Sequence, residues 1–203
     1  MEKIIINTSK NYQFKTQDIN FYYYPNFFNE TDSTYFYEKL SDTIEWKQDK
    51  IKIFGKLIDL PRLTAWYGDN GKNYSYSGIK MIPNAWTEEL LQIKNRIKLL
   101  SDVDFNSVLL NLYRNGNDHQ SWHSDDEKEL GENITIASVN FGQSRDFVFK
   151  HKFKKEKKKI YIRLASGSFL LMKHPTQLYW FHSVPKRKKI KANRINLTFR
   201  KII

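Results

Sequence analysis

From about residue 105 to its end the chain is a succession of short apolar runs, and this succession restricts the fold more than any other feature. Val108-Leu109-Leu110-Asn111-Leu112-Tyr113 stops at Asn115-Gly116-Asn117, a turn signal. Runs at 134–141, 146–151, 159–164, 168–173 and 195–202 follow, each rich in β-branched or aromatic residues. Such runs are too short for ordinary helices and have the composition of strands. Many short strands in series predict an antiparallel sandwich or jelly roll, the architecture that houses cupin-type sites. Two helices are expected upstream. One follows capping residues at 29–32, with Tyr35, Phe36 and Leu40 spaced for one face. The other covers 86–100, where Leu90, Leu91, Ile93, Ile97 and Leu100 recur at roughly helical spacing. Packed on one sheet, they make the predicted class α+β: a double-stranded β-helix with N-terminal helices covering one side.

The 203 residues suit one globular domain. No repeat and no Pro/Gly/Ser linker divides them. An N-terminal extension with the first helix (1–45) and a main domain (46–203, its jelly-roll core from about 105) are therefore expected to form one structural unit. There is no cysteine. That removes disulfides, zinc ribbons and thiol nucleophiles, and leaves His, Asp and Glu as metal ligands. No apolar run approaches the roughly 20 residues of a membrane span, and the start, Met1 to Asn7, is too short for a secretory h-region. A soluble intracellular protein is expected. Thirty-four Lys and Arg against 22 acids give a net charge of +12, which favours a polyanion such as nucleic acid or an anionic membrane surface. A Lys-rich proteome would have the same effect. Residues 150–159 hold seven lysines in ten positions, either a solvated hairpin tip or a loop that contacts phosphates.

His123-Ser124-Asp125 is the first candidate site. On an extended backbone, residues two apart point to one side, so His123 and Asp125 can hold one ion together. His182, in the aromatic run Tyr179-Trp180-Phe181-His182-Ser183, is placed to supply a third ligand from a distant strand. Two imidazoles and one carboxylate on one face of an octahedron leave positions open for co-substrate and dioxygen, as in non-haem iron(II) oxygenases. Taken alone, the His-x-Asp pattern is common, and a histidine is more often a surface or core residue than a ligand. At the C-terminus Arg194-Ile195-Asn196-Leu197-Thr198-Phe199-Arg200 alternates strictly between polar and apolar. The ordinary reading is a half-exposed strand with its polar side in water. The alternative is that its two arginines form a clamp for a dicarboxylate, which guanidinium binds in bidentate fashion. Asn111 and Tyr113, again two apart, would add hydrogen bonds from the strand before His123.

At these residues the chain resembles a known family. Asn111-Leu112-Tyr113-Arg114-Asn115-Gly116, His123-Ser124-Asp125-Asp126-Glu127, the run 136–142, Arg145-Asp146-Phe147-Val148-Phe149, His174-Pro175-Thr176 and 194–200 are similar to the catalytic core of AlkB-type dioxygenases. The likeness extends over roughly 50–203. It implies that His123, Asp125 and His182 hold iron(II). It implies further that Asn111, Tyr113, Arg194, Asn196, Thr198 and Arg200 bind 2-oxoglutarate, with the two arginines as the charged clamp. The implied reaction uses dioxygen to convert 2-oxoglutarate to succinate and carbon dioxide; an iron(IV)-oxo species hydroxylates an N-methyl group, and formaldehyde leaves the repaired base. The implied substrates are 1-methyladenine and 3-methylcytosine in DNA.

Upstream, Phe54-Gly55-Lys56, Pro61-Arg62 and Tyr67-Gly68-Asp69 resemble the branch that acts on duplex DNA. There a finger residue, matched by Phe54, fills the gap left by a flipped base, and Lys56 would follow it as a phosphate contact; Gly55 and Arg62 are also expected to bind substrate. Otherwise Phe54 is a phenylalanine packed under a turn. A nucleotide-recognition lid is implied at about 50–82, where Tyr74 and Tyr76 would stack on or hold the nucleotide. Asp126 and Glu127 would accept hydrogen bonds from an exocyclic amine, and Arg187, Lys188 and Lys189 would grip the complementary strand. Trp122 is larger than the resemblance leads one to expect beside His123. The main alternative is an RNA demethylase of the same chemistry; one of another class is a non-catalytic nucleic-acid-binding module. A monomer located wherever the genome resides is expected.

Overall fold

The computed structural model describes residues 3–53, 55–71, 74–76 and 79–203. Phe54 lies outside them, as do the side chains of Tyr74 and Tyr76. Two sheets carry the architecture. The seven-stranded sheet runs β2 (Tyr12–Lys15), β3 (Asn20–Tyr24), β14 (Phe169–Lys173), β11 (Ile136–Gly142), β16 (Arg194–Arg200), β9 (Ser107–Tyr113) and β6 (Leu63–Gly68). The five-stranded sheet runs β1 (Lys3–Ile6), β13 (Lys159–Leu164), β12 (Arg145–His151), β15 (Trp180–Val184) and β10 (Gln120–His123). Two hairpins stand apart: β4 (Lys50–Ile53) with β5 (Lys56–Asp59), and β7 (Tyr74–Tyr76) with β8 (Ile79–Met81).

Strand periodicity divides the core into two layers. Side chains alternate across a strand, so each central strand feeds both sides of its sheet. Ile195, Leu197 and Phe199 of β16 join Val108, Leu110, Ala137, Val139 and Phe141 in one apolar layer. That layer is closed by Phe36 and Leu40 of α1 (Glu30–Thr43) and by Leu90, Ile93 and Ile97 of α2 (Glu88–Ile97). The second layer lies between the sheets, where Phe149, Ile160 and Ile162 meet Phe21, Leu170 and Met172. A jelly-roll core with helices over one sheet is the predicted class, and the structure has it.

Both helices start where capping chemistry places them. Asn29 Oδ1 accepts from the Asp32 amide at 2.7 Å, and Thr87 Oγ1 accepts from the Leu90 amide at 3.3 Å. The second helix is therefore shorter than the expected 86–100: Thr87 is its cap, and Leu100 falls in the turn beyond Ile97. Tyr35 and Leu91 are exposed. Each sits one residue from the buried stripe, about 100° around the helix, where spacing alone assigns a side poorly. The aromatic run after Asn20 is a strand, β3, and Phe21 stacks on Phe149 across the core with ring centres 5.2 Å apart. At the far end of the five-stranded sheet, β1 pairs parallel with β13.

Candidate metal and co-substrate site

The site opens between the sheets, and the polar side of β16 forms its floor. All seven residues of β16 are buried, so the alternation read from sequence reflects an enclosed polar cavity and not a face in water. Its neighbours are in register: Arg194 lies across from Tyr113, and Asn196 across from Asn111 on one side and Asn140 on the other. Asn111, Tyr113, Arg194, Asn196, Thr198 and Arg200 all line the cavity that His123, Asp125 and His182 also line.

The three candidate ligands come from neighbouring strands of the opposite sheet. His123 ends β10 and pairs with His182 on β15, their ring centres 4.2 Å apart. Asp125, just beyond the strand, is buried, with its Oδ2 3.5 Å from His182 Nε2. One ligand atom from each of the three lies within 4.8 Å of the others. The surroundings fix their orientation. His123 Nδ1 lies 2.9 Å from the Ser121 carbonyl, the contact of an Nδ1–H tautomer whose Nε2 lone pair is left free. Phe147 stacks on His182 at 5.0 Å. The Asp125 amide donates to Gln177 Oε1 at 3.0 Å, and Arg200 Nη2 donates to Asp125 Oδ1.

Electrostatics put all three groups in ligating form. Burial lowers the pKa of His123, against the pull of Asp125. Burial also pushes His182 down, to about 3, helped by the neighbouring His123. Both imidazoles are thus neutral near pH 7. Burial would raise the Asp125 carboxyl, but the Arg200 guanidinium beside it, with the two histidines, holds it well below the usual carboxylate range. Two neutral nitrogens and one carboxylate form the donor set of a facial triad, and the residues present fit a divalent iron ion.

Arg194 marks the other end of the cavity. It is fully buried, its Nη2 donates to Asn140 Oδ1, and its guanidinium lies 5.0 Å from the centre of the Tyr113 ring. Its Nε and Nη1 have no hydrogen-bond partner among the described residues. Burial lowers its pKa to about 10, so it stays charged at neutral pH. A buried cation with two vacant donors is costly unless an anion completes it. The residues present therefore also fit an anionic co-substrate with a carboxylate at this end.

The other sequence candidates among the described residues are not part of this cavity's lining. Arg62 is closest, buried with its Nε donating to Asn111 Oδ1 at 2.7 Å. Asp126 pairs outward with Lys152 at 2.7 Å, and Glu127 precedes the 3-10 turn Lys128–Leu130. Gly55 and Lys56 lie exposed on the β4–β5 hairpin. Arg187 pairs with Asp146 at 2.6 Å, and with Lys188 and Lys189 it lines a surface recess. Sequence reasoning missed Asn140, Ser138 and Gln177. Ser138 and Asn140 carry a legible signal, since a polar pair two apart inside an apolar strand repeats the Asn111/Tyr113 pattern. Gln177 carries none.

A jelly roll with two imidazoles and a carboxylate at its mouth, and a buried arginine deeper within, defines a class: the facial-triad, non-haem iron oxygenases. The sequence pattern described as "2OG-Fe(II) oxygenase superfamily" matches residues 20–200, and the chain belongs to that family. Iron(II), 2-oxoglutarate and dioxygen are the reactants that the family implies. The chain is 40% identical over 185 residues to DNA oxidative demethylase ALKBH2 of Bos taurus, covering 87% of this chain and 66% of that protein. For ALKBH2 of Homo sapiens the identity is also 40%, with 87% and 71% covered. For alpha-ketoglutarate-dependent dioxygenase alkB homolog 3 of Homo sapiens it is 40% over 187 residues, with 88% and 65% covered. The chain thus spans about two thirds of the length of these relatives. The solved structure of OsALKBH1 shares the fold, with a TM-score of 0.61 at 16% identity over 93% of this chain and 99% of that one.

Proposed function

We propose that this chain is an iron(II)- and 2-oxoglutarate-dependent dioxygenase that oxidatively removes N-methyl groups from bases in DNA, with a preference for duplex. The observation that carries the chemistry is the pairing of a three-ligand cluster with Arg194, a buried cation that lacks an anion. The names of the ALKBH2 relatives support the substrate. Iron(II) bound here would activate dioxygen against 2-oxoglutarate and supply the oxidant for the methyl group.

The protein's own part is to place and to shield. Ser121 and Phe147 fix the two imidazoles, while Arg200 engages one Asp125 oxygen and leaves the other directed at the ligand cluster. Arg194 takes the distal carboxylate of the co-substrate, and Asn111, Tyr113, Asn196 and Thr198 complete a polar lining that excludes weaker ligands. The substrate base has to leave the stack to reach the metal, and a lesion that blocks pairing is cheaper to extrude. Phe54 fills the vacated space, with Gly55 and Lys56 beside it. Tyr74 and Tyr76 hold the extruded nucleotide, and Arg62, Asp126 and Glu127 stand near its base. Arg187, Lys188 and Lys189 hold the complementary strand. A monomer acting wherever the genome resides suffices for this reaction.

The test is incubation with iron(II), ascorbate, 2-oxoglutarate and an oligonucleotide carrying 1-methyladenine, single-stranded and as duplex. The expected result is loss of one methyl by mass, dependent on 2-oxoglutarate and abolished by His182→Ala, with a duplex preference that falls in Phe54→Ala. Methyl loss from RNA alone would replace DNA as the substrate. Failure to bind 2-oxoglutarate would leave a non-catalytic binding module.

A further inference from the structure

The outer face of the five-stranded sheet carries a feature that this chemistry does not use. Alternation turns His123 and His182 into the site and Phe149 into the core, and leaves Trp122, Phe181 and Lys150 on the opposite side, with Phe181 in register with Lys150. Trp122 is 39% exposed on β10, the terminal strand of its sheet. The Lys150 ammonium lies 4.7 Å from the centre of the Trp122 ring and 5.7 Å from that of Phe181. Lys159 reaches within 5.6 Å of Trp122, and Lys152 within 5.2 Å of Phe181. Asp126 pairs with Lys152. Among the described residues no carboxylate forms an ion pair with Lys150 or Lys159.

We propose that Trp122 and Phe181, with Lys150 and Lys159, form a stacking platform for unpaired nucleotides that flank the base in the active site. This rests on the reading of the chain as a nucleic-acid enzyme. Flat rings interleaved with uncompensated ammonium groups match the two faces of a single strand: bases stack on aromatic side chains, and phosphates take the cations. Paired bases keep their faces inside the helix, so the platform serves single-stranded substrate only and adds nothing to duplex binding, for which the proposed preference rests on Phe54 and the basic segment 187–189. An acidic peptide would meet the lysines but has no row of planar faces for the rings. The path is short. Trp122 and His123 are consecutive, so a strand leaving the cavity reaches the platform by rounding the free edge of β10.

The test compares equilibrium binding of unmodified thymidine 12-mers and 3-mers to the full chain loaded with manganese(II) and 2-oxoglutarate. In the wild type the 12-mer binds more tightly, because only it reaches both the cavity and the platform. Trp122→Ala is expected to lower 12-mer affinity by about tenfold, the scale of one lost base stack, and to leave 3-mer affinity in place; Trp122→Phe restores most of the loss. The double variant Lys150→Gln/Lys159→Gln is expected to flatten the salt dependence of 12-mer binding by about 1.4 in log–log slope, at roughly 0.7 for each phosphate contact on a single strand. A ratio of 12-mer to 3-mer affinity that matches wild type in Trp122→Ala overturns the platform. So does a lysine double variant with an unchanged salt slope, a test that stands even where Trp122→Ala does not fold. An acidic peptide that displaces the 12-mer and is itself lost in Trp122→Ala assigns the face to a protein partner instead. Absence of demethylation by the wild type sinks the reading of function, whereas an insensitive length ratio sinks the platform alone.

Discussion

Arg194 shows how one side chain encodes a ligand that the fold itself does not contain. Its guanidinium is buried, charged and incompletely partnered, so it opposes folding of the empty protein and favours binding of an anion. Replacing it with Met keeps most of its volume and removes the charge. Arg194→Met is expected to raise the KM for 2-oxoglutarate by about 100-fold, since two charge-assisted hydrogen bonds are together worth about 3 kcal/mol. The same substitution should leave the Tm of the ligand-free protein unchanged or higher, because an uncompensated cation is gone. Thermal melting with and without 2-oxoglutarate reads both effects. A lower Tm without ligand would mean that Arg194 serves the fold first. His123, Asp125 and His182 were legible as types in a pattern, and Arg194 and Arg200 as a strict alternation. Gln177 was not: its contact to the Asp125 amide depends on the tertiary placement of α3 (Thr176–Tyr179), which no local spacing encodes.

Among the elements, most strands from β9 onward were legible because each buries at least one side, against helices or against the opposite sheet, and so alternates or runs apolar. β10 was not, and the reason is functional. Its inward positions carry site residues instead of core residues, which erases the hydrophobic signal that would have marked it. The N-terminal strands β1 and β2 were missed because both sit at sheet edges, where partial exposure weakens the pattern. The loops that frame the site depend on a close approach of two backbones. The Gly116 amide donates to the Ile190 carbonyl at 2.9 Å, and the Arg187 amide donates to the Gly116 carbonyl at 2.7 Å. Arg145 adds hydrogen bonds to the carbonyls of Asn115, Asp118 and Pro185. A Cβ on Gly116 would stand 1.8 Å from the Arg187 carbonyl oxygen, a clash with backbone that no rotamer relieves. Gly116→Ala is expected to cost about 2 kcal/mol, within the range for overpacked sites, and to displace the segment that bears Arg187, Lys188 and Lys189. Urea unfolding should show a lower midpoint, and the affinity for duplex should fall more than that for 2-oxoglutarate. Equal loss for both ligands would mean that the contact supports the barrel as a whole.

Across the whole molecule, a small set of buried polar contacts ties the N-terminal segment to the rest of the fold. Asp18 lies in the turn between β2 and β3, which pair with the seven-stranded sheet, and it reaches the hairpin of the five-stranded one. It accepts from Thr16 Oγ1 at 2.8 Å, from Lys157 Nζ, and lies 3.2 Å from His151 Nε2. The amides of Phe153 and Lys154 donate to His151 Nδ1 at 3.0 and 2.9 Å, an arrangement that needs the neutral ring with its proton on Nε2. Burial lowers the pKa of His151, in keeping with that tautomer. Burial alone would raise the Asp18 carboxyl, but Lys157 and Thr16 outweigh it and bring it down to about 2. The sign of the linkage follows. A carboxyl with a folded-state pKa below its unfolded value of about 4 stabilises the protein fully above that value, and the contribution is lost as pH falls from about 4 towards 2. Asp18→Asn removes the titrating group while keeping most of the shape. Its Tm is expected to lie below wild type at pH 7 and to converge on it as pH falls from 4 to 2. Melting curves of the two proteins through that window test the assignment: a constant offset would mean that Asp18 contributes through packing and not through its charge.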